Sequence, residues 1–203
     1  MREGARTVDP GFAAATLPVM RAVNYRPLTT EDYQDLPNDG RQYQIVEGEL
    51  FVAPAPTPFH QSILGNLYVI LRDHLRHHPG GKVFLALFDV YLDKNNVVQP
   101  DLSWFSPERE EYISGRGAEG PPDLLIEILS PSTEALDLGL KKEVYARFGV
   151  REMWIVDPRM RVVSVFDLTR STATPEGTFG AEASFGSQVL AGLAVSCPEV
   201  FAS

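Results

Sequence analysis

A chain of 203 residues with one cysteine, Cys197, has no intramolecular disulfide and no thiolate cluster for structural zinc. Long apolar runs are missing too. Nothing approaches the roughly 18 residues of a membrane span, and the start of the chain lacks an apolar core followed by a cleavage site. A soluble cytoplasmic protein with no membrane partner is the expectation. Positive charge is scarce, with 18 Lys and Arg against 27 Asp and Glu, a net −9. That balance disfavours a polyanionic partner unless some carboxylates hold metal and the cations gather locally. The candidates for such a patch are Arg109, Arg116, Lys141, Lys142, Arg147 and Arg151. Internal repeats are also absent.

What is present reads as an α/β domain with a central mixed sheet. Residues 1–26 show no usable periodicity and are read as a flexible extension, with Met20 an alternative start; residues 27–203 are read as one domain. Thr30 fits the N-cap of a short helix to about Leu36. Gln42–Val46 and Glu49–Val52 form a hairpin turning at Glu47-Gly48, which places Glu49 first on the returning strand. Thr57 and Pro58 open a long helix that stops at Gly80-Gly81 and buries Phe59, Ile63, Leu67, Ile70, Leu71 and Leu75. Val83–Leu92 reads as one strand, turning at Lys94-Asn95-Asn96 into the extended run that holds Asp101 mid-strand. Phe105–Gly120 reads as a solvated charged connector and Thr169–Ala183 as a loop. Asp123–Leu129 has the continuous apolar pattern of a strand buried on both faces. A helix from Glu134 to Phe148 carries Leu136, Leu140, Val144 and Phe148 on its buried stripe and ends at Gly149. Glu152–Asp157 and Arg161–Leu168 form a second hairpin, followed by a weak strand near Gln188–Leu190 and a capping tail.

The chemistry concentrates between Val97 and Lys142. Glu127 is a carboxylate inside a buried strand, where an unpaired charge costs several kcal/mol, so a cation, proton or donor should accompany it. Lys141 sits at the border of the helix stripe and can turn toward the Glu127 strand. Lys142 lies about 100° further round and is expected in solvent. Asp101, Glu127 and Lys141 together form a set able to bind a divalent cation and activate water against a phosphodiester. Asp89 shares a face with Leu87 and Tyr91; a structural hydrogen-bonding role and a place in the acidic pocket both remain open. His60 either completes the first turn of its helix or contacts substrate. His74, His77 and His78 have metal-compatible spacing, yet they end a helix where imidazolium is favoured by the dipole.

Several of these residues fall into a recognisable pattern. Tyr43-x-x-x-x-Gly48-Glu49, His60-Gln61, Asp89-Val90, Gln99-Pro100-Asp101, Glu127-x-Leu129-Ser130-Pro131-Ser132-Thr133, Asp137, Lys141-x-x-x-Tyr145 and Gly149-Val150-x-Glu152-x-Trp154-x-Val156-Asp157 resemble the Uma2 family of restriction endonucleases. The resemblance runs from about Thr29 to the C-terminus. It implies the restriction-endonuclease-like fold of the PD-(D/E)xK nucleases, with a mixed sheet, flanking helices and an N-terminal β-hairpin. It also implies a Mg²⁺-dependent cut of DNA. On this pattern Pro100-Asp101 supplies the first acidic element and Glu127-Ile128-Leu129 the second. The superfamily lysine would fall at Leu129, and the resemblance moves that role to Lys141. Where the family commonly carries Glu after the hairpin tyrosine, this chain has Gln44.

The resulting expectation is a DNA endonuclease whose Mg²⁺, or Mn²⁺ in its place, is held by Asp101, Glu127 and the carbonyl of Ile128. Lys141 and Glu49 complete the catalytic set, and His60, Asp89 and Gln44 stand at the substrate or behind the ligands. DNA is the expected partner, and a homodimer is left open. The rival is an inert nuclease-fold module binding nucleic acid or protein, favoured by Gln44 and the acidic charge. A zinc hydrolase built on the histidine cluster ranks last.

Overall fold

The computed structural model describes residues 26–202, so the expected extension at residues 1–26 lies almost entirely outside the described residues. The first helix, α1, spans Thr30–Gln34 and is capped by Thr29, whose N–H donates to the Asp32 carboxylate. Strands β1 (Gln42–Val46) and β2 (Glu49–Ala53) form the expected hairpin. Its two-residue turn needs left-handed backbone at both positions, and Glu47 (φ 52°) and Gly48 (φ 78°) supply it. Helix α2 runs Pro58–His77, with the His60 N–H donating to Thr57 Oγ1 at 3.2 Å. Ile63, Leu64, Leu67 and Leu71 form its buried stripe, while Phe59, Ile70 and Leu75 pack at its border.

The run expected as one strand at Val83–Leu92 is two. Strand β3 (Lys82–Leu85) and strand β4 (Val90–Asp93) belong to different sheets. The chain crosses back in the same way between β5 (Asn96–Val98) and β6 (Leu102–Phe105). Pro100 explains this break, because it has no N–H for a ladder and interrupts the pairing where the chain changes sheets. Asp101 therefore stands at a crossover between two sheets, not mid-strand, and its carbonyl accepts from Ala86 N at 2.9 Å.

The connector after Phe105 is ordered. It holds a 3₁₀ turn at Pro107–Tyr112 and a small hairpin of β7 (Ile113–Ser114) and β8 (Gly117–Ala118). Arg109 fastens it by donating to the carbonyls of Pro122 and Gly149. Strand β9 (Leu124–Ile128) runs parallel to β10 (Glu152–Asp157), and β11 (Val162–Asp167) returns antiparallel. The loop expected after Thr169 contains one more strand, β12 (Gly177–Gly180), paired with β11. Gly-flanked and short, it carries no period to read. The weak strand expected at Gln188–Leu190 is instead the link between β13 (Ser184–Gly186) and β14 (Ala194–Ser196), before the last helix α5 (Cys197–Val200).

Two large sheets result, in the orders β2-β1-β5-β4-β8-β7 and β12-β11-β10-β9-β6-β3. The second is mixed and sandwiched. Leu124, Ile126, Ile128, Trp154 and Val156 face α2 and the C-terminal elements. Leu125, Met153 and Ile155 alternate to the other face, against Val46, Val90 and Val98 of the first sheet and Val144 and Tyr145. By the same two-residue period, Glu127 points with Leu125 toward Tyr145.

Candidate active site

The helix that faces Glu127 is not regular. It consists of α3 (Glu134–Leu136), a π turn at Asp137–Lys141 and α4 (Lys142–Arg147). A π turn inserts an extra residue and rotates the next part of the helix, and such insertions recur at functional sites. Its effect here is to turn Leu140 out of the expected stripe, while Leu136, Val144 and Phe148 stay packed on the core and Asp137 and Lys141 turn inward. Leu138 and Leu140 are 41% and 38% exposed, whereas Asp137 and Lys141 are 2% and 1% exposed. Lys142 is also buried rather than solvated, with Nζ 4.4 Å from the centre of the Phe166 ring.

Lys141 Nζ lies 2.7 Å from Glu127 Oε1 and 2.9 Å from Asp137 Oδ1. The Tyr145 hydroxyl donates to the same Glu127 oxygen at 2.7 Å. Burial pushes the Glu127 carboxyl pKa up; Lys141 opposes this, while the charges of Asp137 and Asp101 add to it. For Lys141, burial favours the neutral amine, but the two carboxylates outweigh it and the pKa is raised. The ammonium is thus fixed in its charged form. Asp137 had no assigned role from sequence, although its four-residue spacing from Lys141 is the signal that could have found it.

Asp101 Oδ2 accepts from the backbone N–H of Ile128 at 2.8 Å and lies 3.3 Å from His60 Nε2. Burial lowers the His60 pKa, yet the hydrogen bond and charge of Asp101 outweigh it and the net shift is upward. Behind Asp101 the chain is clamped. Gln99 N donates to Gln44 Oε1 at 3.0 Å, and the Gln99 carbonyl accepts from Gln42 Nε2 at 2.8 Å.

Asp101, Glu127, Ile128, Asp137, Lys141, His60 and Gln44 all line one cleft of about 1000 Å³. Two expected members do not. Glu49 is exposed at the start of β2, opposite Val46 at the turn end of the hairpin; it shares a face with Gln42, Gln44 and Ala53 of the cleft wall but lies beyond the residues that line it. Asp89 accepts from Tyr33 Oη at 2.7 Å and Gln99 Nε2 at 2.6 Å, so its role is to brace the segment before Asp101. The expected basic patch does not gather either. Arg109 and Arg151 pair with Asp123, Arg116 with Glu119 and Arg147 with Glu47.

The donor set suits a hard cation. Among the described residues, Asp101 and Glu127 each engage protein donors through one oxygen only, leaving Asp101 Oδ1 and Glu127 Oε2 without a hydrogen bond. Two carboxylate oxygens with a backbone carbonyl and water make an oxygen-rich site of the kind Mg²⁺ takes. Among the described residues, no group of three His, Cys, Asp or Glu side chains is placed to hold a metal, which leaves the histidine-cluster zinc reading without a site. His74 and His78 stack on each other, their ring centres 4.4 Å apart.

The bond from Tyr145 gives a direct prediction. Tyr145→Phe should cost about 1–2 kcal/mol in urea denaturation, because a buried charge loses a donor, and should slow any cleavage by loosening Glu127. An unchanged midpoint would show that the hydroxyl contributes nothing.

Among solved structures, the chain is similar to one described as a putative nuclease belonging to DUF820 from Anabaena variabilis ATCC 29413. The identity is 21% and the TM-score 0.71, covering 86% of this chain and 98% of that one, a likeness of fold. No curated protein matches. No helix among the described residues is long and apolar enough to cross a membrane. The profile of the family described as "Uma2: Putative restriction endonuclease" matches residues 30–197, and with the restriction-endonuclease-like sheet and its flanking helices in place, the chain belongs to the Uma2 family.

Proposed function

We propose that the protein is a divalent-cation-dependent DNA endonuclease acting at the Asp101–Glu127 cleft. One observation carries the reading: two nearly buried carboxylates each turn one oxygen to protein donors and leave the other free, beside a lysine held charged at 1% exposure. Asp101 Oδ1, Glu127 Oε2 and the Ile128 carbonyl would hold Mg²⁺, or Mn²⁺ in its place. Such an ion lowers the pKa of water and offsets charge on phosphoryl oxygens.

The protein's own groups do the rest. Lys141 pairs with both Glu127 and Asp137, which holds the orientation of Glu127, and its ammonium stands beside the place an attacking water would take. Its charge is set in place before reaction, so it stabilises negative charge growing at phosphorus without reorganisation. His60 keeps Asp101 in place through Nε2, and its Nδ1 is buried without a hydrogen bond. Gln44 holds the Asp101 segment through Gln99, a task its carbonyl performs as a carboxylate would.

The rival reading, an inert binding module, draws on the carboxylate-paired arginines and the net charge of −9. Circular DNA, single-stranded and supercoiled, separates the two when incubated with wild type and Glu127→Gln in Mg²⁺, Mn²⁺ and EDTA. Cutting in either ion, absent in EDTA and reduced at least about 10²-fold in the variant, supports the enzyme. No cutting under any condition, or equal cutting by both proteins, rejects it.

A further inference from the structure

The geometry points to an unpaired DNA strand, not an intact duplex, as the segment that enters the cleft; this inference rests on the nuclease reading above. The charge of the lining is the first reason. Its cations, Arg41, Lys141 and Arg159, face four carboxylates, Asp39, Asp101, Glu127 and Asp137. Each cation is also matched individually: Arg41 by Asp39, Lys141 by Glu127 and Asp137, and Arg159 by Glu134 at 2.8 Å. One divalent ion would turn the balance only slightly positive. A duplex binder instead neutralises a run of phosphates, and affinity falls steeply with salt as each contact releases a counterion. Among the described residues, the arginines nearest the site in sequence add no free charge to extend the footprint, since Arg109, Arg116, Arg147 and Arg151 all face carboxylates.

Depth is the second reason. The Glu127 side chain is 4% exposed and that of Asp101 13%, so a phosphate must descend into the cleft to meet them. A single strand threads downward more readily than a duplex, whose backbone is backed by its partner strand. A volume of about 1000 Å³ is at the upper end of small-ligand pockets, room for a short stretch of nucleotides.

The walls supply the third reason. Leu87 lines the cleft at 59% exposure and Phe59 is half-buried there, with Pro131 and Pro158 nearby. Stacked bases in a duplex have no use for such surface. Unstacked bases cover it, at about 1–3 kcal/mol per base where an aromatic face is available.

Fluorescence anisotropy of the full-length protein tests this, using a short labelled DNA strand and a blunt duplex of the same sequence, in EDTA and in Ca²⁺. The strand should bind at least about tenfold more tightly than the duplex, and log K against log salt should have a slope of about −1 to −2. Leu87→Asp, at an exposed position that leaves the melting curve unchanged, should weaken strand binding by roughly fivefold or more. Equal or tighter duplex binding, a slope steeper than about −4, or no binding of either DNA would overturn the inference. The nuclease reading fails separately: a preferred strand that is never cut in Mg²⁺ or Mn²⁺ keeps the strand-binding cleft and removes the enzyme, while duplex preference with cutting does the reverse.

Discussion

Lys141→Met is expected to abolish cleavage and to destabilise the fold at neutral pH by about 3–5 kcal/mol, the usual result of removing one partner from a buried ion pair. The ammonium sits between Glu127 and Asp137, all three side chains at most 4% exposed. Without it, two carboxylates face each other away from water. Burial already raises the Glu127 pKa, and losing the opposing charge of Lys141 must raise it further. A carboxyl whose folded pKa exceeds its unfolded value binds more protons when folded, so stability increases as pH falls through the folded value toward the ordinary 4.5. The deficit of the variant should therefore be largest in alkali and shrink in mild acid, measured by urea denaturation across that range. Lys142→Met is the internal control. Its ammonium meets the Phe166 ring and burial lowers its pKa, so an apolar replacement should cost under about 1 kcal/mol and leave cleavage intact. Equal loss from both substitutions would contradict the assignment.

Asp101→Asn is expected to reduce cleavage by at least about 10²–10³-fold while the protein remains folded. An Asn side-chain oxygen can still accept the Ile128 N–H that Asp101 Oδ2 takes at 2.8 Å. Neutralising Asp101 also removes one of the charges that raise the Glu127 pKa, which favours the variant at higher pH. His60 supplies the opposite trend. Its pKa is raised in the fold because Asp101 outweighs burial, so it contributes stability that is present below 6.5 and lost as pH rises through its folded value. The Asn variant forfeits that contribution, and its stability relative to wild type should fall as the solution is acidified. Proton NMR of the His60 ring gives the companion measurement: its titration midpoint should drop in the variant. An unmoved midpoint would mean that Asp101 does not set the state of His60.

Glu127 was legible because a lone carboxylate in Leu124-Leu125-Ile126-x-Ile128 violates the pattern around it, and burial makes that violation expensive. The hairpin at Glu47-Gly48 and the Thr57-Pro58 helix start were legible because local chemistry alone specifies them. The π turn was not. Leu140 continues what reads as a regular stripe with Leu136 and Val144, and only packing against Glu127 decides that Asp137 and Lys141 point inward and Leu140 does not. Face-sharing misled wherever it assumed an unbroken strand. Once Ala86–Asp89 and Gln99–Asp101 prove to be crossovers between sheets, alternation no longer relates Asp89 to Asp101, and Asp89 becomes a brace reached through Gln99. Clustering of arginines along the chain misled for a similar reason, since each finds its carboxylate through tertiary contacts such as Arg147 with Glu47.

Whether Asp101 and Glu127 share a divalent ion is tested most directly by anomalous diffraction from crystals of the wild-type protein grown with Mn²⁺. The expected result is a peak bounded by Asp101 Oδ1, Glu127 Oε2 and the Ile128 carbonyl at about 2.0–2.6 Å, absent from Glu127→Gln crystals grown identically. Ordered carboxylates at saturating Mn²⁺ with no peak between them, or Mn²⁺ bound only elsewhere, would contradict a shared ion and with it the nuclease site.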